Sequence, residues 1–314
     1  MTTHRLSEHT TGVYVISATP FSENGDIDFG SLDTLVEYYI RHGAHGITML
    51  GMMGEANKLT GEESIAVVRH ALRRVNGRVP VVVGVSHSSL TAMRELAHDA
   101  MAHGAAGILV APITGLRTDQ QIFNYLEAVC EALGPTVPCI YQDYPPATNV
   151  FLSAALFARM ALAFSQVVGL KMEDNPGLDK LTSIRASEAR GETRRVSITV
   201  GNGGLFLPQS LARGADGVMT GFGYPEMLVQ VFARHVAGDA DGADDIYDAY
   251  LPLVCYEQQP GFGLAVRKDI LRRRGAIASA ALRAPAPRLT GTDLAELDRI
   301  IGRLERRLAV RAGA

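Results

Sequence analysis

The strongest constraint on the fold of this chain is an eightfold alternation of short apolar segments with helical stretches. The segments are rich in β-branched residues and begin at residues 12, 46, 79, 107, 137, 167, 197 and 217. The sequences between them, such as SLDTLVEYYIRHG and LTAMRELAHDAMAHG, carry apolar residues at helical spacing. Strands without polar alternation are buried on both faces, as a parallel sheet requires, and eight strands can close into a barrel. The sequence therefore predicts an α/β fold, a (β/α)8 TIM barrel.

Glycines at the helix-to-strand junctions and the helical pattern after the last strand complete this prediction. In RHGAHGI, AHGAAGI and ARGADGV, one glycine can cap a helix and a second opens the next strand. A doubly wound open sheet is the alternative, but no GxGxxG motif follows the first strand. We therefore expect a barrel catalytic domain over residues 1–235 and an all-helical C-terminal extension over residues 236–314.

Composition favours small-molecule chemistry. The formal net charge of -3 offers no basic field for nucleic acid or anionic lipid. No stretch approaches the ~18 apolar residues of a membrane span, and the N-terminal MTTHRLSEHT is polar, so we expect neither insertion nor export. Three cysteines without CxxC spacing indicate reduced thiols and hence a cytoplasmic protein. No histidine or carboxylate pair has metal-ligand spacing at a strand end, so neither a metal nor another cofactor is expected.

The chemistry of such barrels lies at the carboxyl ends of the strands. Lys171 follows the apolar run VVGL, whereas Lys58, Lys180 and Lys268 fall in helical or loop segments where solvent exposure would explain them. A desolvated lysine loses its proton more readily, and a neutral amine can add to a ketone to form a Schiff base. The alternative is a plain strand-end ion pair of Lys171 with Glu173 or Asp174. Other candidates at strand ends are Thr19, Gly51, Met52, Met53, Gly54, His87, Gln142, Gly201 and Thr220.

The GMMGE loop after the second strand is a candidate site for a carboxylate. Two glycines bracket a tight turn that can expose backbone N–H groups, and such a concavity suits an anion. A plain turn is the alternative, because glycine-rich turns are common after strands. We expect Glu55 to begin the second helix, where its charge would suit the helix N-terminus.

The chain resembles the dihydrodipicolinate synthase / N-acetylneuraminate lyase family of Schiff-base barrels. The resemblance covers nearly the whole length and rests on ATPF, GMMGE, DYPPAT, GLKMED and GADGVMTG, each at the expected strand. It implies that Lys171 forms an imine with a 2-oxo acid and that the loop from Gly51 to Glu55 holds the carboxylate. It also implies a homo-oligomer, a tetramer.

The chain departs from that family at several positions. Met52 and Met53 stand where the family usually has two threonines, and Gln142 stands where it has a tyrosine. A second tyrosine position falls near Thr114, and the arginine that meets the second substrate falls on Ala147. Gln-Asp followed by x-Pro, an acidic residue two places after the lysine, and RRRGAIAS are similar to the 2-keto-3-deoxyarabonate dehydratase branch.

Roles follow from this resemblance. For dehydration, an imine on Lys171 acts as the electron sink, and an acid/base must act at the carbons beyond it. Glu173 shares the inward face of the strand with Lys171 and is the first acid/base candidate. His87 is the second, unless it merely flanks a helix N-cap. Gln142 has no proton to lose and can only orient a partner, while Asp143 is expected to face away and cap the next turn.

Three functions stay open at this point. The first is a lyase that dehydrates or cleaves a 2-keto-3-deoxy sugar acid. The second is 4-hydroxy-tetrahydrodipicolinate synthase or a pyruvate aldolase. The third is a sensor that binds a 2-oxo acid without turnover, because the usual proton relay is missing.

Overall fold

The computed structural model describes residues 4–175 and 177–312 and shows a closed barrel of eight parallel strands. Each strand pairs with its neighbours in chain order, and β1 closes the ring by pairing with β8. The (β/α)8 barrel predicted from the sequence is thereby confirmed. The strands are β1 Gly12–Ile16, β2 Gly46–Met49, β3 Val81–Gly84, β4 Gly107–Val110, β5 Cys139–Asp143, β6 Val167–Met172, β7 Ser197–Val200 and β8 Gly217–Thr220.

Helices connect the strands and cover the outside of the barrel. Gly43, Gly104 and Gly214 have positive φ just after helix ends, as the repeated glycine phrases indicate. The helices are α1 Phe29–Arg41, α2 Gly61–Val75, α3 Leu90–Ala102, α4 Asp119–Leu133, α5 Pro145–Thr148, α6 Ala154–Ala163, α7 Leu178–Ala189, α8 Leu207–Ala212, α9 Pro225–Val236, α10 Ala240–Glu257, α11 Gly263–Arg273 and α12 Gly291–Ala312. Short 3-10 turns lie at Met52–Gly54, Ala56–Lys58 and Asn202–Gly204.

The barrel interior is apolar in its lower part and polar toward the carboxyl ends of the strands. One buried cluster fills the lower interior and includes Leu6, Tyr14, Ile16, Val82, Leu109, Ile140 and Met219. A second, larger cluster joins the outward faces of the strands to the surrounding helices. Because strand side chains alternate, Gln142, Lys171 and Thr199 also point inward, near the carboxyl ends of their strands. The fold thus delivers polar groups to the face where the site was predicted.

The helices after α9 pack against one another and against the barrel. Helix α10 packs on α9 and α12, and the buried face of α11 includes Val266, Arg267 and Lys268. The division proposed at residue 236 falls at the last residue of α9. Among residues 4–175 and 177–312, no helix is both long and apolar enough to span a membrane.

Candidate active site

Lys171 lies near the end of β6 and is buried, with 3% of its surface exposed. Its register partners are Gln142 on β5 and Thr199 on β7, which flank it on either side. The Lys171 Nζ atom lies 3.0 Å from Oε2 of Glu173. The strand-end ion pair considered from the sequence is therefore present, and it lies inside the barrel mouth, where a lysine needs a partner to stay buried.

Glu173 is the centre of the polar cluster. Its Oε2 atom accepts a hydrogen bond from Gln142 Nε2 at 2.5 Å, in addition to its contact with Lys171. Its Oε1 atom accepts from the backbone N–H of Asn202 at 3.2 Å, and its carbonyl accepts from the Asn202 side chain at 3.1 Å. Each carboxylate oxygen thus has a donor, and one carboxylate joins the lysine of β6 to the glutamine of β5.

Gly201 makes room for this carboxylate. A Cβ atom on Gly201 would overlap the Glu173 side chain, so a larger residue would displace the carboxylate. The following residue, Asn202, adopts a positive φ of 51° and turns its amide toward Glu173. Thr220, predicted to bind substrate, accepts a hydrogen bond from Gly203 N–H at 2.8 Å and so supports this turn. Asn202 was not among the predicted site residues, although the phrase GNGG offered a signal, because asparagine tolerates positive φ.

The predicted carboxylate loop forms a short 3-10 turn from Met52 to Gly54. The N–H groups of Gly54 and Glu55 bond to carbonyls within the loop. The first N–H groups of such a turn, those of Met52 and Met53, have no carbonyl available within the turn. The Met53 side chain packs against the interior cluster, and Met52 is more exposed. Thr19 braces the loop by donating its hydroxyl to the Gly54 carbonyl at 2.6 Å.

Glu55 does not begin the second helix, and this expectation was wrong. Helix α2 begins at Gly61, whereas Glu55 has a positive φ of 53° and is 1% exposed. Its Oε1 atom lies 2.7 Å from Lys268 Nζ, and its Oε2 atom lies 2.9 Å from Lys58 Nζ. Solvent exposure therefore does not explain Lys268, which is fully buried. A buried charge requires a partner of opposite sign, and Glu55 and Lys268 satisfy each other.

Asp143 faces away from the barrel interior, as expected, but it pairs with Lys180 of α7. The two charged groups lie 2.6 Å apart, and Lys180 also contacts Asp174 at 2.7 Å. Burial raises the pKa of Asp143 to about 6, and the neighbouring Lys180 opposes this shift. Lys180 thus has a specific partner and does not depend on exposure.

His87 lies on an exposed stretch three residues after β3. Its Nδ1 atom accepts a hydrogen bond from the N–H of Ser89, the N-cap of α3, at 2.8 Å. This contact fits the helix-capping alternative, and a role of His87 in catalysis stays a prediction. Within the described part of the chain, no group of three or more His, Cys, Asp or Glu side chains is arranged to hold a metal.

The chain is similar to known proteins in both sequence and structure. The family model of the dihydrodipicolinate synthetase family matches residues 9–304. The chain is 31% identical over 309 residues to L-2-keto-3-deoxyarabonate dehydratase of Azospirillum brasilense, covering 97% of each chain. It is similar to the crystal structure of dihydrodipicolinate synthase from Rhodopseudomonas palustris, with a TM-score of 0.94, 42% identity, and coverage of 96% of this chain and 99% of that one.

A further solved relative is a prophage protein of E. coli K12 from the dihydrodipicolinic acid synthase family, in complex with pyruvate. It has a TM-score of 0.84 and 25% identity, and the match covers 94% of this chain and 98% of that one. A family model that spans most of the chain and a relative matched over nearly its full length both lead to one conclusion. The chain belongs to the dihydrodipicolinate synthetase family of lyases.

Proposed function

We propose that this protein is a Schiff-base lyase that dehydrates a 2-keto-3-deoxy sugar acid. The observation that carries the proposal is the contact between Lys171 Nζ and Glu173 Oε2 at 3.0 Å, with Gln142 on the same oxygen. A carboxylate next to the amine can exchange protons with it and with the carbons bound to it. The full-length relative that is a 2-keto-3-deoxyarabonate dehydratase supports this choice of reaction.

The first step is formation of the imine. Glu173 takes a proton from the Lys171 ammonium, and the neutral amine attacks C2 of the 2-oxo acid. Glu173 returns this proton to the hydroxyl of the resulting carbinolamine, which leaves as water while a C=N bond forms between Lys171 and the substrate. In this proposal the N–H groups of Met52 and Met53, which bond to no carbonyl within the turn, bind the C1 carboxylate in the manner of an anion-binding turn.

The second step is elimination. Glu173 removes a proton from C3, and the electron pair moves toward the imine nitrogen to give an enamine. The electrons then return and expel the C4 hydroxyl, which takes the proton from Glu173 and leaves as water. Gln142 holds Glu173 in position through its 2.5 Å hydrogen bond and does not itself transfer a proton. Hydrolysis of the remaining imine releases a 2-oxo acid and restores Lys171.

The proposal is tested with L-2-keto-3-deoxyarabonate as substrate. The product should be a new 2-oxo acid with the same number of carbons, identified by mass spectrometry, and no pyruvate should be released. Stoichiometric pyruvate would assign the protein to the aldolases instead. Formation of a pyruvate adduct with added aspartate semialdehyde would assign it to the synthases of lysine biosynthesis.

A trapping experiment separates an enzyme from a sensor. Incubation with pyruvate and borohydride should add mass to one peptide, the one that contains Lys171. Added mass on Lys58, Lys180 or Lys268 would contradict the assignment of the nucleophile. Trapping at Lys171 without turnover of any acid in a panel of 2-keto-3-deoxy acids would favour the sensor.

We also infer a homotetramer that acts in the cytoplasm. The family resemblance supports the assembly, although one solved relative is described as a monomeric dihydrodipicolinate synthase variant. The three cysteines are unpaired within residues 4–175 and 177–312, which suits a reducing compartment. Light scattering should give about four times the chain mass of 33.7 kDa. A measured mass equal to one chain would overturn the proposed tetramer. The proposed cytoplasmic location is tested separately, by cell fractionation.

A further inference from the structure

Arg267 on α11 carries a hydrogen-bond donor that nothing in the described chain uses. The residue is 2% exposed, and its Nε atom forms an ion pair with Oε1 of Glu257. The other oxygen of Glu257 accepts from the N–H of Gly223 at 3.1 Å. The Nη1 atom of Arg267 is buried and has no hydrogen-bond partner among residues 4–175 and 177–312. An unpaired buried N–H costs free energy of about 1–3 kcal/mol, so its position requires a reason.

The unpaired donor lies at the mouth of the barrel. Met219 belongs to the interior cluster, and Gly221 follows it by two residues, so Gly221 also faces inward. A Cβ atom on Gly221 would lie 2.5 Å from Nη1 of Arg267. The guanidinium therefore occupies the space that an inward side chain at position 221 would take.

This position is level with the catalytic carboxylate. Register pairs connect β6 to β7 and β7 to β8, and strands of an eight-stranded barrel are staggered by about one residue each. With that stagger, Lys171 and Met219 share one layer of the interior, and Glu173 and Gly221 share the next. Gly221 thus lies at the height of Glu173, two strands away, and Nη1 of Arg267 lies beside it.

The pKa of Tyr144 is affected by both Glu173 and Arg267. Tyr144 follows β5 directly, and burial raises its pKa above the usual value. The charge of Glu173 raises the pKa of Tyr144 further, whereas the charge of Arg267 lowers it. Both charged groups therefore act electrostatically on the Tyr144 hydroxyl.

We propose that Nη1 of Arg267 donates a hydrogen bond to a hydroxyl oxygen at the distal end of the substrate, beyond C3. This inference rests on the proposed function and adds the residue that selects a hydroxylated chain over a short 2-oxo acid. The positive charge of Arg267 is already balanced by Glu257, so the remaining N–H suits a neutral oxygen. The C1 carboxylate has its own donors, the N–H groups of Met52 and Met53 on β2's loop.

The test measures competition, so it does not depend on turnover. Labelled pyruvate is trapped on Lys171 with borohydride while an unlabelled acid competes, and the concentration that halves trapping is recorded. The competitors are L-2-keto-3-deoxyarabonate, which carries distal hydroxyls, and 2-oxobutyrate, which carries none. Wild-type protein should prefer the hydroxylated acid by about 10- to 100-fold, as expected for one hydrogen bond to a charged donor.

Two variants remove the donor in different ways. Arg267→Lys keeps the charge next to Glu257 but shortens the donor, and Gly221→Ala displaces Nη1 while it leaves the arginine in the chain. Both should lose the preference for the hydroxylated acid and leave the half-saturation by pyruvate within about twofold. Arg274→Lys is the matched control, because Arg274 directly follows the same helix and pairs with Glu226 instead. It should keep the preference.

The outcomes separate this inference from the dehydratase proposal. A wild-type protein without any preference would overturn the role of Arg267, whether or not the acid is turned over. If both variants bind pyruvate and the hydroxylated acid more weakly by the same factor, Arg267 acts on the carboxylate that the two acids share or on the fold. That result would also overturn the proposed role of Arg267. A preference that is present, and lost in the variants, supports the inference even where no dehydrated product forms.

Discussion

At the scale of single residues, the most informative group is Glu173, because it contacts the polar groups of three strands or loops of the site. It contacts Lys171 and Gln142 through one oxygen and Asn202 through the other. The alternation of strand side chains predicted its shared face with Lys171. The glycine that leaves room for it and the asparagine that binds it belong to β7's loop, and a pattern along one strand cannot reveal contacts made across strands.

Glu173→Gln tests the acid/base role. The amide keeps the shape of the side chain but cannot accept the C3 proton, so turnover of the sugar acid should fall by about two to four orders of magnitude. Borohydride trapping of pyruvate should remain detectable. Glu192→Gln is the control, since Glu192 is exposed and pairs with Arg190. Undiminished turnover in Glu173→Gln would leave His87 as the next candidate.

Asp143 gives the fold a pH dependence. Its folded-state pKa of about 6 exceeds the usual 3.8 because burial disfavours the charged carboxylate. The folded state then binds the proton more tightly than the unfolded state, so this residue stabilises the fold as the pH falls below about 6. Relative to Asp143→Asn, the wild type should gain about 2 kcal/mol of unfolding free energy between pH 7 and pH 4.5. Urea unfolding at both pH values measures this gain, and a constant difference between the two proteins would contradict it.

At the scale of elements, our proposal is that the loop from Met52 to Gly54 binds the C1 carboxylate of the substrate through backbone N–H groups. Its side chains would then tune affinity and not the chemistry. Met53→Thr should leave imine trapping intact and change the half-saturation by pyruvate by about tenfold or less. Trapping as weak as in Lys171→Ala would show that Met53 has a further role.

Helix α11 contacts the end of that loop through the ion pair between Lys268 and Glu55. Lys268→Met would leave Oε1 of Glu55 buried without its partner, which should cost about 3–5 kcal/mol of unfolding free energy. Lys58→Met removes the partly exposed partner of the same glutamate and should cost less than half as much. Chemical denaturation of both variants measures the difference. Equal costs would mean that the buried pair is not what anchors the loop.

The sequence predicted the elements of the barrel far better than the contacts between distant elements. Periodicity and junction glycines located every strand, because both depend on near neighbours along the chain. The same reasoning assigned Lys268 to the surface and Glu55 to a helix start. The two residues form an ion pair although they are 213 residues apart in the sequence. No pattern among near neighbours along the chain can reveal such a contact.

At the scale of the whole molecule, the C-terminal helices supply the buried partner of Glu55 in the loop after β2. A chain truncated after residue 235 would retain Lys171 and Glu173 but lose Arg267 and Lys268, leaving Glu55 without its buried partner. We expect this fragment to show no imine trapping and a lower unfolding midpoint than the full chain. Trapping at wild-type efficiency would show that the barrel is an independent unit.

The closed barrel also determines when folding can be completed during synthesis of the chain. The last pairing joins Gly12 on β1 to Gly217 on β8, so the first strand keeps one bare edge while about two hundred residues follow it from the ribosome. At about 5–20 residues per second, that edge stays open for about 10–40 s. During this interval an unpaired strand can join another chain. The yield of folded protein should therefore fall when synthesis is slow, when nascent chains are crowded or when a chaperone is lost.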